Sequence, residues 1–433
     1  MKHTHHDPLV ISASKLGISK ESINPKALTI LRALHEANYD AYLVGGCVRD
    51  LLLGVEPKDF DIATNAHPEQ IKAVLPSTRI IGRRFRLAHV HFGREYYEVA
   101  TFRAPHNDSD HGQVGHEGRI LHDNVYGNIE EDAVRRDFAI NALFYDIFRD
   151  EVLDFVGGMD DLEKRQLRLI GDPETRYRED PVRMLRAIRF AGKLGLSIEA
   201  SSEAPIRELA PLLENIASAR LFDEVLKLFH SGQALPVLQL LRDYRLFHSL
   251  FPATEKALQS DQSGHFLRLI EDSLANTDKR INAGMSVTPA FLFAVMLWLP
   301  MKQLEAGYRE ESYPDPQGMQ LAANDVLANQ VRFTAVPRRF SNVTREIWLL
   351  QSRFDYKSCR RATSFLENRR FRAAFDFLCL RSVAENDVNL QASAAWWEEF
   401  QKADTERQLD MCKAVPHVKK KRRRNKRRGP ASE

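Results

Sequence analysis

The clearest pattern in the first third of the chain is a switch between two periods. Asn24-Pro25 sets up a helix start, and Leu28, Leu31 and Leu34 then lie on one stripe. Tyr42 to Val44 is a short apolar run closed by Gly45-Gly46, which reads as a buried strand and a turn. Cys47 to Leu53 fits one or two helical turns, with Gly54 as a stop. After Pro57 the residues Asp59-Phe60-Asp61-Ile62 alternate, so a strand there aims both carboxylates at one face and Phe60 and Ile62 at the core.

Further on, His67 to Leu75 predicts a short helix, and Thr78 to Ile81, Leu87 to Phe92 and Arg94 to Phe102 predict three strands. In the last of these Tyr96, Glu98 and Ala100 share a face. Ala104 to Gly118 carries no apolar period and reads as a mobile loop. Glu130 to Ala142 resumes a helical pattern with Val134, Phe138 and Ala142 inward, which puts Arg135, Arg136 and Asp137 on its open edge. A strand at Val152 to Phe155 and a Gly157-Gly158 turn follow, and from there the chain is helical almost to its end. The stretch from Asp172 to Gly195 predicts an amphipathic helix with an arginine face, its first turn holding Asp180, Pro181 and Arg183. Leu221, Val225, Leu228 and Phe229 mark another helix, and Pro314 and Pro316 are placed to loosen two helical subdomains.

Composition changes this picture little. Apolar residues make up 43% and charged residues 28%, the balance of a soluble protein with several domains. The apolar run Ala290 to Leu299 is too short to span a bilayer, and Met1 to Val10 has no apolar core of a signal peptide. Cys47, Cys359, Cys379 and Cys412 are scattered without C-x-x-C spacing, which predicts neither disulfide framework nor zinc site and points to a reducing cytoplasm. His3, His5 and His6 offer metal ligands but read better as a solvated terminus, and the spacing of His106, His111 and His116 fits no familiar helix or strand face.

Charge adds more. The formal net charge is +3, yet Lys419 to Arg428 holds nine positive charges and no negative one, so the remainder is net acidic. Lys419, Lys420, Lys421, Arg422, Arg423 and Arg424 therefore form the core of a polyanion-binding arm. Arg332 to Arg381 interleaves arginines with aromatics, Arg369 and Arg370 among them, a composition suited to single-stranded nucleic acid.

Three groups carry candidate chemistry. Asp59 and Asp61, two apart beside a glycine turn, suit Mg2+ held against a nucleoside triphosphate, because Mg2+ takes few carboxylates and keeps room for phosphate and water oxygens. Gly45 and Gly46 let backbone amides approach those phosphates. Glu98 is a carboxylate in an apolar strand, and Arg136 with Asp137 can position phosphate oxygens and a ribose hydroxyl. Asp180 accepts from an exocyclic amine while Arg183 donates to the adjacent ring nitrogen, which selects adenine or cytosine over guanine or uracil.

The blocks LVGGCVRD, DFDIAT, EVATFR, EEDAVRRDFAINAL, DFVGGMDDL and DPETRYREDPVRMLRAIRFA, in this order over about residues 40–195, resemble the class II polymerase-beta-like nucleotidyltransferases. That family contains bacterial poly(A) polymerases and CCA-adding tRNA nucleotidyltransferases. The segment Ile80 to Phe92 and the basic tail resemble its poly(A) polymerase branch, and Ala139 departs from a threonine common in the family.

The resemblance implies an α+β architecture, a small mixed-sheet nucleotidyltransferase head followed by all-helical neck, body and leg domains. The expected division is a flexible segment 1–24, head 25–158, neck with base recognition 159–235, body 236–330, basic RNA-binding region 331–412 and disordered tail 413–433. It implies two Mg2+ ions on Asp59 and Asp61 with Glu98 or Asp137 as further acidic partner, and ATP as substrate. It also implies triphosphate contacts from Gly45, Gly46 and Arg49, and ribose and phosphate contacts from Arg136, Asp137 and Asn141. Template-independent addition of AMP to single-stranded RNA 3′ ends follows, with CCA addition to tRNA as the alternative. RNA-decay or RNA-chaperone partners are not readable from the sequence.

Overall fold

The computed structural model describes residues 7–82, 86–104 and 125–415. The histidine-containing segments 1–6 and 105–124, the expected mobile loop after Ala104 and the basic tail beyond Val415 lie outside the described residues. The chain divides into two compact units, Met1–Ile216 with Pro236–Leu246, and Ala217–Leu235 with Phe247–Glu433.

The first unit is built on one mixed sheet. Its strands are β1 (Leu9–Ser12), β2 (Ala41–Val44), β3 (Asp61–Thr64), β4 (Thr78–Ile81), β5 (Leu87–Phe92), β6 (Glu95–Thr101), β7 (Leu143–Asp146) and β8 (Glu151–Asp154). They lie in the order β1-β8-β7-β2-β3-β6-β5-β4, with β3 and β6 parallel and every other pair antiparallel. Leu9–Ser12 thus adds an edge strand where the sequence suggested a loosely attached segment.

Helix α1 (Pro25–Glu36) starts as its sequence dictates, with the Asn24 side chain accepting from the Lys26 amide at 2.9 Å. Its buried stripe is Ala27, Ile30, Leu31 and Leu34, turned slightly from the expected one so that Leu28 is half-buried. Helices α2 (Gly46–Leu52) and α3 (Pro68–Val74) follow β2 and β3.

One helix predicted as continuous is broken. The pattern from Glu130 gives only α4 (Ile129–Val134), and Val134 is 41% exposed rather than inward. The chain then turns extended. Ile170 N donates to Asp137 O at 2.9 Å and Ala139 N to Arg168 O at 3.1 Å, so Phe138 forms a β-bridge with Leu169 before a short 3-10 turn at Ala139–Asn141. Those long-range bonds replace the helical ones. The arginine-face helix is α7 (Val182–Leu194), starting at Asp180-Pro181 as expected, and a separate short helix, α6 (Pro173–Glu179), precedes it, because the proline ring at Pro181 clashes with a helical conformation at Asp180, which sits at φ −147° and ψ 94°.

Between these pieces α5 (Gly158–Glu163) is fixed by Asp154, whose carboxylate accepts from the Val156, Gly157, Gly158 and Met159 amides. A Cβ at Gly158 would collide with the Ala139 carbonyl. Val44, Ala63, Phe102, Ala139, Phe144 and Ile170 form the apolar cluster on this side of the sheet. Burying Phe144 alone is worth roughly 2–3 kcal/mol.

The second unit is helical. In Ser218–Phe229 the residues Leu221, Val225, Leu228 and Phe229 are buried as their spacing predicts. The apolar run becomes the buried helix Pro289–Met296, and none of the described helices is long and apolar enough to cross a membrane. Pro314 and Pro316 do not open a linker. They start the helix Asp315–Gln330, which packs against Trp298–Glu310.

Most aromatics of the arginine-rich region are core. Phe354, Phe365, Phe371, Phe375, Trp397 and Phe400 cluster together, with Trp397 Nε1 donating to the Phe354 carbonyl at 2.9 Å. One cysteine expectation is corrected: Cys359 and Cys412 are disulfide-bonded, with Cα atoms 5.4 Å apart across a sequence separation of 53. The helices Cys359–Leu366 and Thr405–Lys413 bring them together, a proximity that spacing along the chain does not register.

Candidate active site

Strand β2 ends at Val44, and Gly45 then takes φ 79° and ψ −129°, a conformation that strains any side-chain-bearing residue. A Cβ on Gly45 would meet Arg136 Nη1 at 3.5 Å and the Asn141 carbonyl at 3.8 Å, ordinary contact distances, so it is the backbone conformation that calls for glycine at the turn. Behind it Arg49 is only 4% exposed. Its Nε and Nη2 donate to Asp50 Oδ1 at 2.9 and 2.6 Å, its Nη1 to Asn141 Oδ1 at 2.6 Å, and it lies over the Phe190 ring. Arg49 thus reaches the turn through Asn141, as a buried brace rather than an open cation.

Asp61 opens β3 directly opposite Val44. Asp59 lies two residues earlier and outside the ladder, because β2 has already ended there. Phe60 and Ile62 are buried while both aspartates keep solvent access, so the expected division of faces holds without a strand at Asp59. The parallel register Ile62↔Val99 places Glu98 of β6 abreast of Asp61. Desolvation, then the Glu98 charge and to a smaller extent Asp59, pushes the Asp61 carboxyl up to about 6, against the opposing pull of Arg136. Asp59, Asp61 and Glu98 line a cleft of about 910 Å³ that also includes Lys58, Arg94 and Tyr96.

Among the described residues no three His, Cys, Asp or Glu side chains converge tightly enough to ligate one ion by themselves. The pair Asp59 and Asp61 instead provides two carboxylates with open space beside them. A carboxylate whose pKa stays raised against the pull of Arg136 fits a divalent cation, whose charge would relieve the repulsion.

Asp137 is placed differently. Its Oδ1 accepts from Arg183 Nε at 2.9 Å, and its Oδ2 forms an ion pair with Arg186 Nε at 2.7 Å. Burial works to raise this carboxyl, but Arg186, Arg183 and Arg176 together outweigh it and hold it below the usual range. Arg183 Nη1 also donates to the Arg176 carbonyl at 2.6 Å and to Glu179 at 3.0 Å. Asp180 accepts from the Val182 amide at 3.3 Å. Arg136 is held by Asp132, with Nε and Nη2 at 3.1 and 2.8 Å from Oδ2, and lies over Phe144.

The predicted residues therefore fall into an acidic group (Asp59, Asp61, Glu98), a turn with its brace (Gly45, Gly46, Arg49, Asn141, Arg136) and an arginine cluster (Asp137, Arg183, beside Asp180). In the second unit Arg369 and Arg370 share one partner, Glu346, at 3.3 and 2.7 Å. Lys419, Lys420, Lys421, Arg422, Arg423 and Arg424 lie outside the described residues. Sequence reasoning missed Arg186 as a partner of Asp137, and Lys58, Arg94 and His89 around the cleft. The i, i+3 spacing of Arg183 and Arg186 and the i, i+2 spacing of His89 and His91 are the signals that could have found two of them.

Comparison with known proteins adds to this geometry. The poly A polymerase head domain matches residues 41–168. The probable RNA and SrmB-binding site of polymerase A matches 195–271, and the polymerase A arginine-rich C-terminus matches 311–429. The chain is 46% identical to poly(A) polymerase I of Salmonella typhimurium, over 98% of this chain and 93% of that relative. It is 31% identical to the CCA-adding enzyme of Bacillus pumilus, over 76% of this chain and 82% of that relative. Among solved structures, the Thermotoga maritima CCA-adding enzyme complexed with tRNA superposes with a TM-score of 0.60 at 21% identity, covering 96% of this chain and 92% of the other.

Proposed function

The chain belongs to the poly(A) polymerase family of nucleotidyltransferases, and from that premise we propose that it adds AMP from ATP to RNA 3′ ends without a template, releasing pyrophosphate. The observation that carries this reading is the match to poly(A) polymerase I relatives along nearly the whole of both chains. The CCA-adding relative shares less identity over a shorter span.

The geometry supports a division of labour. Asp59 and Asp61 would hold Mg2+, two ions in this reading, which would lower the pKa of the RNA 3′-hydroxyl and offset charge on the departing pyrophosphate. Glu98 keeps Asp61 short of positive charge and so raises its demand for the cation. The Gly45-Gly46 turn presents backbone to the triphosphate, with Arg49 and Asn141 fixing its shape and Arg136 beside it. Asp137 acts by holding Arg183 and Arg186 in place rather than as a third acidic ligand.

Base choice is assigned to Asp180 and Arg183. The Arg183 Nη2 makes no hydrogen bond with the described residues, which leaves it for a ring nitrogen. The pair suits adenine and cytosine alike. Arg369, Arg370 and the tail lysines and arginines are proposed to engage RNA phosphates, in the cytoplasm where ATP and RNA meet.

The test is to incubate a short RNA primer with ATP alone and with CTP alone. Long A tails without CTP are expected. Addition that stops after C-C-A would replace this reading with the tRNA-specific one.

A further inference from the structure

The cleft that holds Asp59 and Asp61 extends past them along β6 and contains one feature the proposed chemistry has not used. Tyr96 is 52% exposed, an unusual placement for a large aromatic ring inside a strand, and it lines the same polar cleft. Its ring is not loose. His89 of β5 stacks on one face, with ring centroids 4.3 Å apart and planes 12° from parallel. His89 is itself largely buried, with Nε2 3.4 Å from Glu98 Oε1 and no hydrogen bond made there. His91, opposite Tyr96 in the ladder, has its ring centroid 6.0 Å away and tilted by 48°, so both histidines border the face that Tyr96 keeps exposed.

Register fixes where that face stands. β3 and β6 are parallel, and Glu98 is abreast of Asp61. Tyr96 is two residues before Glu98, about 7 Å back along β6, and lines the same cleft as Asp59 and Asp61. A hydroxyl activated at the Asp59–Asp61 pair belongs to a sugar whose base must lie within a few ångströms, and the ring offers that base a flat surface. Among the described residues the cleft around it holds six carboxylates and only Lys58 and Arg94 as cations, which suits an uncharged base better than a run of phosphates.

We propose that Tyr96, with His89 stacked beneath it, is the platform for the terminal base of the RNA primer. The partner is the last nucleoside of the chain being extended, not the incoming nucleotide. Stacking tolerates any base, in keeping with addition to varied RNA ends. The proposal rests on the polyadenylation reading above.

The experiment measures primer KM and kcat for wild type, Tyr96→Phe, Tyr96→Ala and His89→Ala, on an RNA ending in adenosine and on the same RNA ending in an abasic ribose. Thermal melting of each variant checks folding. Tyr96→Ala is expected to raise KM about tenfold on the ordinary primer, the size of one base–aromatic stack, with kcat within twofold. Tyr96→Phe stays within twofold of wild type, and His89→Ala loses about threefold. The abasic primer binds wild type about tenfold more weakly and loses nothing further with Tyr96→Ala. Equal losses on both primers, or no loss on either, overturn the platform while wild-type AMP addition stands. Failure of wild type to extend any RNA overturns the polyadenylation reading and the platform with it.

Discussion

The two carboxylate centres of the first unit make opposite use of charge. Around Asp137 the guanidinium groups of Arg183 and Arg186 meet one carboxylate, which is held below its ordinary range. Around Asp61 desolvation and the negative charges of Glu98 and Asp59 outweigh the opposing Arg136, and its carboxyl is pushed up to about 6. The first centre is complete as folded and works as scaffold. The second is electrostatically unfinished and gains from a cation that the chain does not supply.

The hardest test of that contrast is Asp59→Ala or Asp61→Ala. Either is expected to lower AMP transfer by about a thousandfold or more, because a carboxylate proposed to hold the divalent cation is gone, while RNA binding by filter retention stays near wild type. Retained transfer would show that the unfinished centre is not the reacting one.

Asp137→Asn attacks the other side. Leaving Arg183 and Arg186 without their shared carboxylate should cost about 3 kcal/mol of stability, seen as a lower denaturation midpoint, together with a raised KM for ATP. A variant as stable as wild type would mean that the arginine cluster is not scaffold.

Asp61→Asn should separate the centres by sign. The Asp61 pKa is raised on folding, so the ionised form opposes folding above about pH 6, and this penalty fades as pH falls toward the ordinary carboxylate value. The metal-free Asn variant should therefore be more stable than wild type at pH 8, on the order of 1 kcal/mol after allowing for solvent screening, with the gain vanishing near pH 4. Chemical denaturation at both pH values measures it.

The smallest effect concerns Glu98→Gln. Removing the largest neighbouring negative charge should lower the pH at which Mn2+ binding to the cleft is half lost, by less than one unit from about 6. Calorimetric titration across pH 5 to 8 reads it. An unchanged profile would remove Glu98 from the electrostatics of Asp61.

Much of the acidic centre was legible because its geometry is local. The alternation at Thr78–Ile81 and Leu87–Phe92 gives those strands at their observed bounds, and Gly45, Asp59 and Asp61 lie close enough in sequence to be read as one turn. The arginine cluster was legible in residue type but not in arrangement. Arg183 meets Asp137 across 46 positions, and Phe138 is drawn from its expected helix by pairing with Leu169. Val134 consequently faces solvent, an outcome the helical period could not give. The Cys359–Cys412 bond joins helices too far apart in sequence for spacing to reveal.

The edge strand β1 has a consequence in time as well as in space. Among the described residues Leu9–Ser12 pairs only with Glu151–Asp154, so on a translating ribosome it must wait for roughly 140 further residues before its partner exists. At 5–20 residues per second that interval is on the order of ten seconds. During it the inner pairs β2·β3 and β5·β6 can already assemble, and the head is sealed by the first strand made and the last strand to arrive.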